Sequence, residues 1–278
     1  MSGGTPLSVI VITRDEEDFI GRVIEHVDFA DEFVVVDCGS SDRTREVASA
    51  LGARVIEQEW LGWPAHRNLA AEAASNDWVL FLDADEIVTP ELANSFREAL
   101  AGPLNPADGY SVNRRDDMLG ALMPNEARRA NRLGLVRMFN RRHTAYGVDM
   151  IVHERAQPPG RTIPLRGVLL HWRGRDVDQS TIALNRYATI EAEALDWDGL
   201  RATYANMAGR PLLRFLWCYV WKGGFRHGAR GLIWSFLRAT AEGLRWAKLW
   251  ERQNVRGDLR QPPSELLEEP PSRSSDLM

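Results

Sequence analysis

The chain of 278 residues is short of cysteine and of long apolar runs, and each shortage excludes a class of protein. Its two cysteines, Cys38 and Cys218, are far apart in the sequence, so neither a disulfide framework nor a zinc site is expected. No stretch reaches the roughly 18 uninterrupted apolar residues of a membrane-spanning helix. The N-terminus has no basic region followed by an apolar run, so we expect no secretory signal. These shortages favour a protein of the reducing cytoplasm.

The composition is that of an ordinary soluble domain, with 44% hydrophobic and 26% charged residues, but the net charge of -5 is unevenly spread. Residues 210–252 carry nine Lys or Arg against two Asp or Glu, together with five of the ten tryptophans. Such segments are typical of proteins that lie on an anionic membrane surface. The alternative is a helix pair that packs on the rest of the protein with solvated arginines. The acidic remainder, which has no nucleic-acid motif, argues against a nucleic-acid partner.

Short apolar runs alternate with helical patterns in the first part of the chain, which predicts βαβ units and a parallel sheet. The predicted strands are 7–13, 32–37, 53–57 and 78–83, and the last predicted helix between them is 65–74. We divide the rest into a second half of the domain (106–175), a helical extension (176–252) and a disordered tail (253–278).

Polar residues and one glycine follow three of the predicted strands, at the edge of a parallel sheet where ligands collect. They are Thr13, Asp15 and Glu16, then Asp37, Gly39 and Ser40, and then Asp83, Asp85 and Glu86. Asp83 and Asp85 can turn onto one site, where carboxylate oxygens suit Mg²⁺ or Mn²⁺ that carries phosphate. The alternative is that Asp83 caps a turn while Asp85 and Glu86 begin a helix.

A strand followed by D-x-D also begins phosphatases of the haloacid dehalogenase type, in which the first Asp is the nucleophile. Those enzymes need a later lysine that holds the phosphate. The chain has only Lys222 and Lys248, both in the Trp-rich terminal segment, so the sequence disfavours this function.

Four stretches, in this order, resemble the family 2 inverting glycosyltransferases of the GT-A fold. They are "SVIVITRDEE", "ADEFVVVDCGSSDRT", "GARVIEQEWLGWPAHRNLA" and "DWVLFLDADE". The resemblance is strongest to the group that includes lipopolysaccharide-core β-1,4-glucosyltransferases, and it becomes thinner after the first hundred residues. It implies an α/β protein with a mostly parallel, Rossmann-like sheet flanked by helices. Residues 1–105 would bind the nucleotide sugar, 106–175 the acceptor, and a helical extension would follow.

The resemblance also implies roles for single residues. Those expected to contact the nucleotide sugar are Thr13, Glu16, Asp37, Arg67, Asn68, Asp83 and Arg137. Asp85 would be the direct ligand of a divalent cation that bridges the diphosphate, with Asp83 beside it and His171 as a further candidate ligand. The family often has Asn-Glu-Glu where this chain has Asp15-Glu16-Glu17. The alternatives are a surface pair for Arg67 and Asn68, and a strand-capping role for His171.

Inversion requires a carboxylate base on the face of the sugar opposite the diphosphate. Glu154 in "MIVHERA" matches the family by order and context and is the candidate base. Asp149 is the reserve, and Asp116 and Asp117 are weaker candidates. The alternative for Glu154 is an exposed ion pair with a nearby arginine.

These expectations describe a metal-dependent hexosyltransferase that moves a hexose, with glucose favoured, from a UDP-sugar to a hydroxyl group. The acceptor would be a membrane-linked glycan such as lipopolysaccharide core, and the protein would lie peripherally on the inner face of the cell membrane. Alternatives are a polyprenyl-phosphate glycosyltransferase and an inactive scaffold that binds sugar nucleotides. The sugar itself is not readable, because donor selectivity depends on a few pocket contacts.

Overall fold

The computed structural model describes residues 4–124, 134–147 and 156–255. Within those ranges nine strands form one sheet, and helices cover it and continue beyond it. The strands are β1 (Leu7–Thr13), β2 (Glu32–Asp37), β3 (Arg54–Glu57), β4 (Trp78–Asp83), β5 (Glu86–Val88), β6 (Gly109–Met118), β7 (Ala121–Leu122), β8 (Leu135–Asn140) and β9 (Thr162–His171). The helices are α1 (Ile20–Glu25), α2 (Thr44–Ala50), α3 (Trp63–Ala73), α4 (Pro90–Ala101), α5 (Val177–Trp197), α6 (Tyr204–Leu216) and α7 (Gly228–Asn254).

The first half of the sheet is parallel, with the strand order β3-β2-β1-β4. The predicted bounds of β1, β2 and β4 are confirmed, whereas β3 begins one residue later than predicted and α3 spans 63–73. The register pairs Thr13 with Asp37 and Ile12 with Asp83. The carboxyl ends of three strands therefore meet at one edge of the sheet, as expected.

The apolar run of β4 is explained by its place between two layers of side chains. Leu80 and Leu82 belong to the core that contains Phe96 of α4, whereas Phe81 faces the opposite core, beside Tyr146. Each side chain of this kind stabilises the fold by roughly 1.5–3 kcal/mol when it is fully buried. A strand buried on both faces needs apolar residues at every position, which is why the run lacks alternation.

The second half of the sheet is mixed, and its strands extend the same sheet instead of forming an added one. β8 pairs antiparallel with β4, β6 lies between β8 and β9, and β5 pairs antiparallel with β9 at the end. Gly167 in β9 has a φ of 93°, and a Cβ there would lie 2.4 Å from the backbone nitrogen of Leu92. Glycine thus lets α4 pack closely on this strand.

The helices after β9 form a separate layer. α7 packs against both α5 and α6, and Met118 and Met123 join this layer to the sheet region through a core with Cys218 and Trp234. A π-helical segment, Trp217–Trp221, continues α6. The last described residue is Val255, so most of the predicted tail lies outside the described residues. Within the described ranges, the helices are too short or too polar to cross a membrane.

Candidate active site

The loops after β1 and β2 are tied into one rim. Asp15 has a φ of 54°, and its carboxylate accepts hydrogen bonds from the backbone N–H and the hydroxyl of Ser41 at 2.7 and 3.0 Å. Its own backbone N–H donates to the hydroxyl of Ser40, and that of Glu16 donates to the hydroxyl of Thr44 at 2.7 Å. The strained backbone at Asp15 is therefore held from the neighbouring loop.

Asp37 closes the turn at the end of β2. Its carboxylate is fully buried and accepts hydrogen bonds from the backbone N–H of Gly39 and Ser40, at 3.1 and 2.9 Å, and from the hydroxyl of Ser40. The predicted hydrogen bond from Asp37 to a nucleotide base stays a prediction. Thr13, at the end of β1, is also buried, and its hydroxyl has no hydrogen-bond partner within the described part of the chain.

Arg67 and Asn68 on α3 both make tertiary contacts, so the alternative of a surface pair is wrong. The Asn68 side chain accepts from the backbone N–H of Tyr146 at 2.8 Å and donates to its carbonyl at 3.0 Å. The Arg67 guanidinium lies 5.7 Å from the ring centre of Phe81, 5.3 Å from that of Tyr146 and 3.7 Å from the carboxylate of Asp83. Asn68 thus ties α3 to the segment after β8, and the predicted nucleotide contacts of both residues stay untested.

The two aspartates of the D-x-D motif face different cations. Asp83 receives hydrogen bonds from Arg137 at 3.1 and 3.4 Å, whereas Asp85 receives them from His171 at 2.9 Å and from Arg173. Burial opposes ionisation of both groups, but these cations outweigh it and hold the pKa of each carboxyl below its usual value. Both carboxylates are ionised at neutral pH.

Glu86 begins a strand, so the alternative that Asp85 and Glu86 start a helix is wrong. α4 begins at Pro90, capped by the hydroxyl of Thr89. The Glu86 side chain is fully buried, where it accepts from the backbone N–H of Asp83 at 3.0 Å and from Arg137 at 2.5 Å. Burial raises its pKa, and the nearby charge of Asp83 adds to that effect. Glu86 was missed as a site residue, although a third carboxylate after a buried strand implies a nearby cation.

Arg137 on β8 is itself buried, and its guanidinium donates hydrogen bonds to both Asp83 and Glu86. In this arrangement it fixes Asp83 relative to Glu86. Its predicted contact with a diphosphate is not tested.

His171 at the end of β9 lies between two carboxylates. Its Nδ1 is 2.8 Å from Asp116 and its Nε2 is 2.9 Å from Asp85. Burial would lower the pKa of the imidazole, but these two partners raise it to about 9. His171 therefore does more than cap the end of a strand, because each of its ring nitrogens contacts a carboxylate.

Asp116 is a weak general base in this setting. It accepts hydrogen bonds from His171 and, at 3.1 Å, from Arg114, and these partners hold its pKa well below the usual value in spite of burial. Asp117 accepts from the backbone N–H of Arg173 at 2.9 Å.

Arg173 is the second site residue that the sequence reasoning missed. Its guanidinium donates to Asp85 and, at 2.5 Å, to Glu16, and it lies 5.2 Å from the ring centre of Phe19. Burial raises the pKa of Glu16, and Arg173 opposes that rise. Arg173 thereby connects the loop after β1 to the loop after β9. The only signal in the sequence was its place two residues after His171.

These contacts form one chain of alternating charges. Its members in order are Arg67, Asp83, Arg137, Glu86, Arg114, Asp116, His171, Asp85, Arg173 and Glu16. The longest separations along it are 3.7 Å between Arg67 and Asp83 and 3.5 Å between Arg114 and Glu86. With His171 protonated and with Glu86 and Glu16 ionised, five cations balance five anions, which is what burial of so many charges requires.

Asp85 and His171 fit a divalent cation by their chemistry, since a carboxylate oxygen and a neutral imidazole nitrogen are both common metal ligands. Their separation of 2.9 Å is that of a hydrogen bond, so a bound cation would take the place of the Nε2 proton. The Asp116 carboxylate at Nδ1 is the partner that orients a metal-binding imidazole. Within the described ranges, however, His, Cys, Asp and Glu side chains do not converge in threes as a complete metal site.

The candidate base Glu154 and its reserve Asp149 lie outside the described residues. On either side of that gap, Tyr146 and Ala156 pair as an antiparallel bridge, and Tyr146 contacts Phe81 and Arg67. The two described ends of the gap are therefore held together in the core that contains Phe81.

Comparisons with known proteins identify the family of the chain. The model of the family "Glycosyl transferase family 2" matches residues 8–151. The "Lipopolysaccharide core biosynthesis glycosyltransferase LpsC" of Rhizobium meliloti (strain 1021) is 31% identical over 261 residues, which cover 90% of this chain and 94% of that protein. An uncharacterized glycosyltransferase of Rickettsia typhi is 28% identical over 255 residues, covering 88% and 87%.

Two solved structures show weaker likeness. Residues 1-349 of S. aureus TarS have a TM-score of 0.45 at 17% identity, covering 90% of this chain and 92% of that chain. A glucosyl-3-phosphoglycerate synthase from Mycobacterium tuberculosis, in complex with Mn²⁺, UDP-glucose and glycerol 3-phosphate, has a TM-score of 0.34 at 27% identity, covering 40% and 45%. These TM-scores are too low for either structure to bear on the chemistry of this chain.

Proposed function

The chain belongs to glycosyl transferase family 2 and is a glycosyltransferase of GT-A architecture, and from this premise we propose its donor, its cation and its acceptor. The donor is a UDP-hexose, with UDP-glucose favoured, and the acceptor is a hydroxyl of a membrane-linked glycan such as lipopolysaccharide core. The observation that carries the proposal is the meeting of Asp85, His171 and Arg173 at the edge of the sheet that also holds Glu16.

The nucleotide end of the donor is proposed to bind at the rim made by the loops after β1 and β2. The buried hydroxyl of Thr13 has no hydrogen-bond partner within the described residues. One buried carboxylate oxygen of Glu16, Oε2, also has no hydrogen-bond partner among them. Buried polar atoms without partners are costly, and a bound ribose or base would satisfy them. Arg67 is proposed to contact the donor from α3, where its guanidinium lies 5.7 and 5.3 Å from the ring centres of Phe81 and Tyr146.

Asp85 and His171 are proposed to hold a divalent cation, Mn²⁺ or Mg²⁺. When bound, such a cation neutralises the charge that develops on the departing nucleoside diphosphate. His171 must bind it through a neutral imidazole, with the Nδ1 proton donated to Asp116. Asp83, which is paired with Arg67 and Arg137, is proposed to position these arginines.

Glu154 is proposed as the base that accepts the proton of the acceptor hydroxyl. Its support is partly by elimination, because Asp83, Asp85 and Asp116 are paired with cations that lower their pKa and weaken them as bases. Glu154 also precedes Ala156, which pairs with Tyr146, and Tyr146 contacts Phe81 and Arg67.

The proposed acceptor class is supported by the relative named as a lipopolysaccharide core biosynthesis glycosyltransferase, which aligns with 90% of this chain. An inverting enzyme with this acceptor must bring a hydroxyl of the membrane-linked glycan to the donor sugar, on the face opposite the diphosphate.

The test uses the purified full-length chain in two steps. Thermal unfolding is first measured with UDP-, GDP- and dTDP-sugars, with and without Mn²⁺, and a UDP-hexose is expected to stabilise the protein only with the cation. Release of UDP is then measured with truncated lipopolysaccharide cores and with polyprenyl phosphate as acceptors. Activity on the core alone supports the proposal. Transfer to polyprenyl phosphate alone, or no response to any donor, overturns it.

A further inference from the structure

α6 and the π-helical segment that continues it present an apolar face to solvent. Among the 13 residues of α6 none is buried, although a helix that packs on a domain normally hides its apolar side. The exposed side chains include Leu212, Leu213 and Leu216 in α6, Val220 and Trp221 in the following segment, and Phe225 beyond the turn. We call these six residues the α6 stripe.

The spacing of the α6 stripe shows that its helical members share one face. Leu212, Leu216 and Val220 are four residues apart, and Leu213 is three residues before Leu216. The exposed fractions reach 66% for Leu213 and 78% for Trp221. Contiguous apolar surface of this kind marks an interaction site in soluble proteins.

The arginines of α6 turn away from the stripe. The guanidinium of Arg210 lies 4.6 Å from the ring centre of Trp246 on α7, and Arg214 is half-buried, whereas the leucines of the α6 stripe are exposed. The charged side of α6 thus faces its neighbour, and the apolar side remains outside. This is the reverse of the usual arrangement at a protein surface.

At the turn after α6, aromatic rings and cations lie side by side. Trp217 and Trp221 stack with ring centres 6.2 Å apart, and Lys222 lies 5.5 Å from the ring centre of Trp217. Arg226 lies 5.5 Å from the ring centre of Phe225. Indoles beside basic groups suit the boundary between lipid headgroups and acyl chains.

The charge of this region selects an anionic partner. Residues 204–241 contain six Arg or Lys and no Asp or Glu, which gives +6 and leaves -11 for the rest of the chain. Two copies joined symmetrically through this face would bring +6 against +6, so the charge disfavours a symmetric dimer. An anionic lipid surface matches both the positive charge and the uncharged apolar stripe.

We propose that the α6 stripe is a bilayer-docking surface that inserts into the headgroup region of an anionic membrane. Trp221 and Leu213 enter the apolar boundary, while Lys222 and Arg226 contact lipid phosphates. The inference goes beyond the proposed reaction, because it needs no donor, cation or glycan acceptor.

The experiment measures binding of the full-length protein to vesicles by co-sedimentation and by tryptophan fluorescence. One vesicle is phosphatidylcholine alone, and in the other a quarter of the lipid is phosphatidylglycerol. We expect binding to the second only, with a blue shift of the emission. The double variant Leu213→Ser with Trp221→Ser is expected to bind at least about tenfold more weakly, because it loses apolar area that transfers out of water.

The matched control is Trp197→Ser, which removes an equally exposed tryptophan at the far end of α5. That end lies beside Gln253 of α7, away from the turn after α6. The control is expected to bind vesicles like the wild type. A second variant, Lys222→Glu with Arg226→Glu, is expected to lose the preference for phosphatidylglycerol while circular dichroism confirms that it remains folded.

Three outcomes overturn the proposal. They are an absence of binding to either vesicle, equal binding by the stripe variant and the wild type, and a dimer in sedimentation that the stripe variant dissociates. The last result would assign the surface to a second copy of the chain. UDP release with a soluble core fragment is measured in parallel, so a failure of the docking surface is separable from a failure of the proposed transfer.

Discussion

The imidazole of His171 on β9 lies 2.9 Å from the carboxylate of Asp85, which follows β4. The two residues come from opposite halves of the sheet, and β5 joins them by pairing Glu86 with His171. The D-x-D motif is therefore not a local feature, because the partner of its second aspartate, His171, comes from β9, far along the chain. Predictions about the site must treat the two halves together.

Replacing Asp85 with Asn removes the negative charge that faces His171 and Arg173. We expect a UDP-hexose to lose its cation-dependent stabilisation and turnover to fall by at least about 100-fold, since the charge on the diphosphate is no longer offset. Isothermal titration with and without Mn²⁺ gives the first quantity. Asp198→Asn, at an exposed helix end, is the control and should behave as wild type. Unchanged cation dependence in Asp85→Asn would contradict the assignment.

Arg137→Met leaves Glu86 and Asp83 without their shared guanidinium. We expect the free energy of unfolding in urea to fall by about 3–5 kcal/mol, because a buried carboxylate is left without its partner. The comparison is Arg142→Met. Arg142 is 64% exposed and pairs with Asp77 at 2.9 Å, so its loss should cost no more than about 1 kcal/mol. Equal effects of the two substitutions would show that the buried chain of charges does not hold this edge together.

Glu154→Gln is expected to lower kcat by about 100-fold or more while leaving the affinity for donor and cation unchanged, since an amide cannot accept the acceptor proton. Asp149→Asn tests the reserve candidate in the same assay. Separate measurement of UDP-hexose affinity and of turnover distinguishes a base from a binding residue. The role passes to Asp149 if only its substitution removes turnover.

The lowered pKa of Glu32 leads us to expect that the folded protein loses stability in acid. Burial opposes ionisation, but hydrogen bonds from Ser8, Ser75 and Arg54 lower its pKa from 4.5 to about 2. The carboxylate is favoured in the folded state, so its contribution is fully present above pH 4.5 and disappears as the pH falls through about 2. We expect Glu32→Gln to be less stable than wild type by about 1–2 kcal/mol at pH 7. Urea unfolding should show this difference shrinking between pH 4.5 and 2, and a constant difference would refute the linkage.

The sequence predicts the parallel half of the sheet well, because each strand there is a continuous apolar run followed by a polar turn. Asp83, Asp85 and Glu16 were located for the same reason, since each follows a predicted strand. The cationic side chains that pair with these carboxylates were not predicted. Arg114 and Arg173 reach the site through the pairing of β6 and β9, and no local pattern tells which distant arginine faces a given carboxylate.

Two further differences have local causes. Glu86 looked like the start of a helix because a carboxylate followed by Thr-Pro is typical of a helix N-terminus, but pairing with β9 makes it a strand residue. Asn68 was predicted to contact the nucleotide, which stays a prediction, and the sequence did not indicate that both groups of its amide hydrogen-bond the backbone of Tyr146. A side chain that clamps a distant backbone and one that awaits a ligand have the same appearance in a sequence.

Because opposite charges alternate along the chain of residues from Arg67 to Glu16, the effect of a substitution at one of them depends on the charges of its neighbours. Neutralising one charge leaves its neighbours without a partner and unbalances the total charge, whereas neutralising two adjacent residues of opposite sign keeps the total charge balanced. We therefore expect tolerated variants of Arg137 to carry a second substitution at Asp83 or Glu86. Single substitutions at this edge of the sheet should be tolerated less well than paired ones.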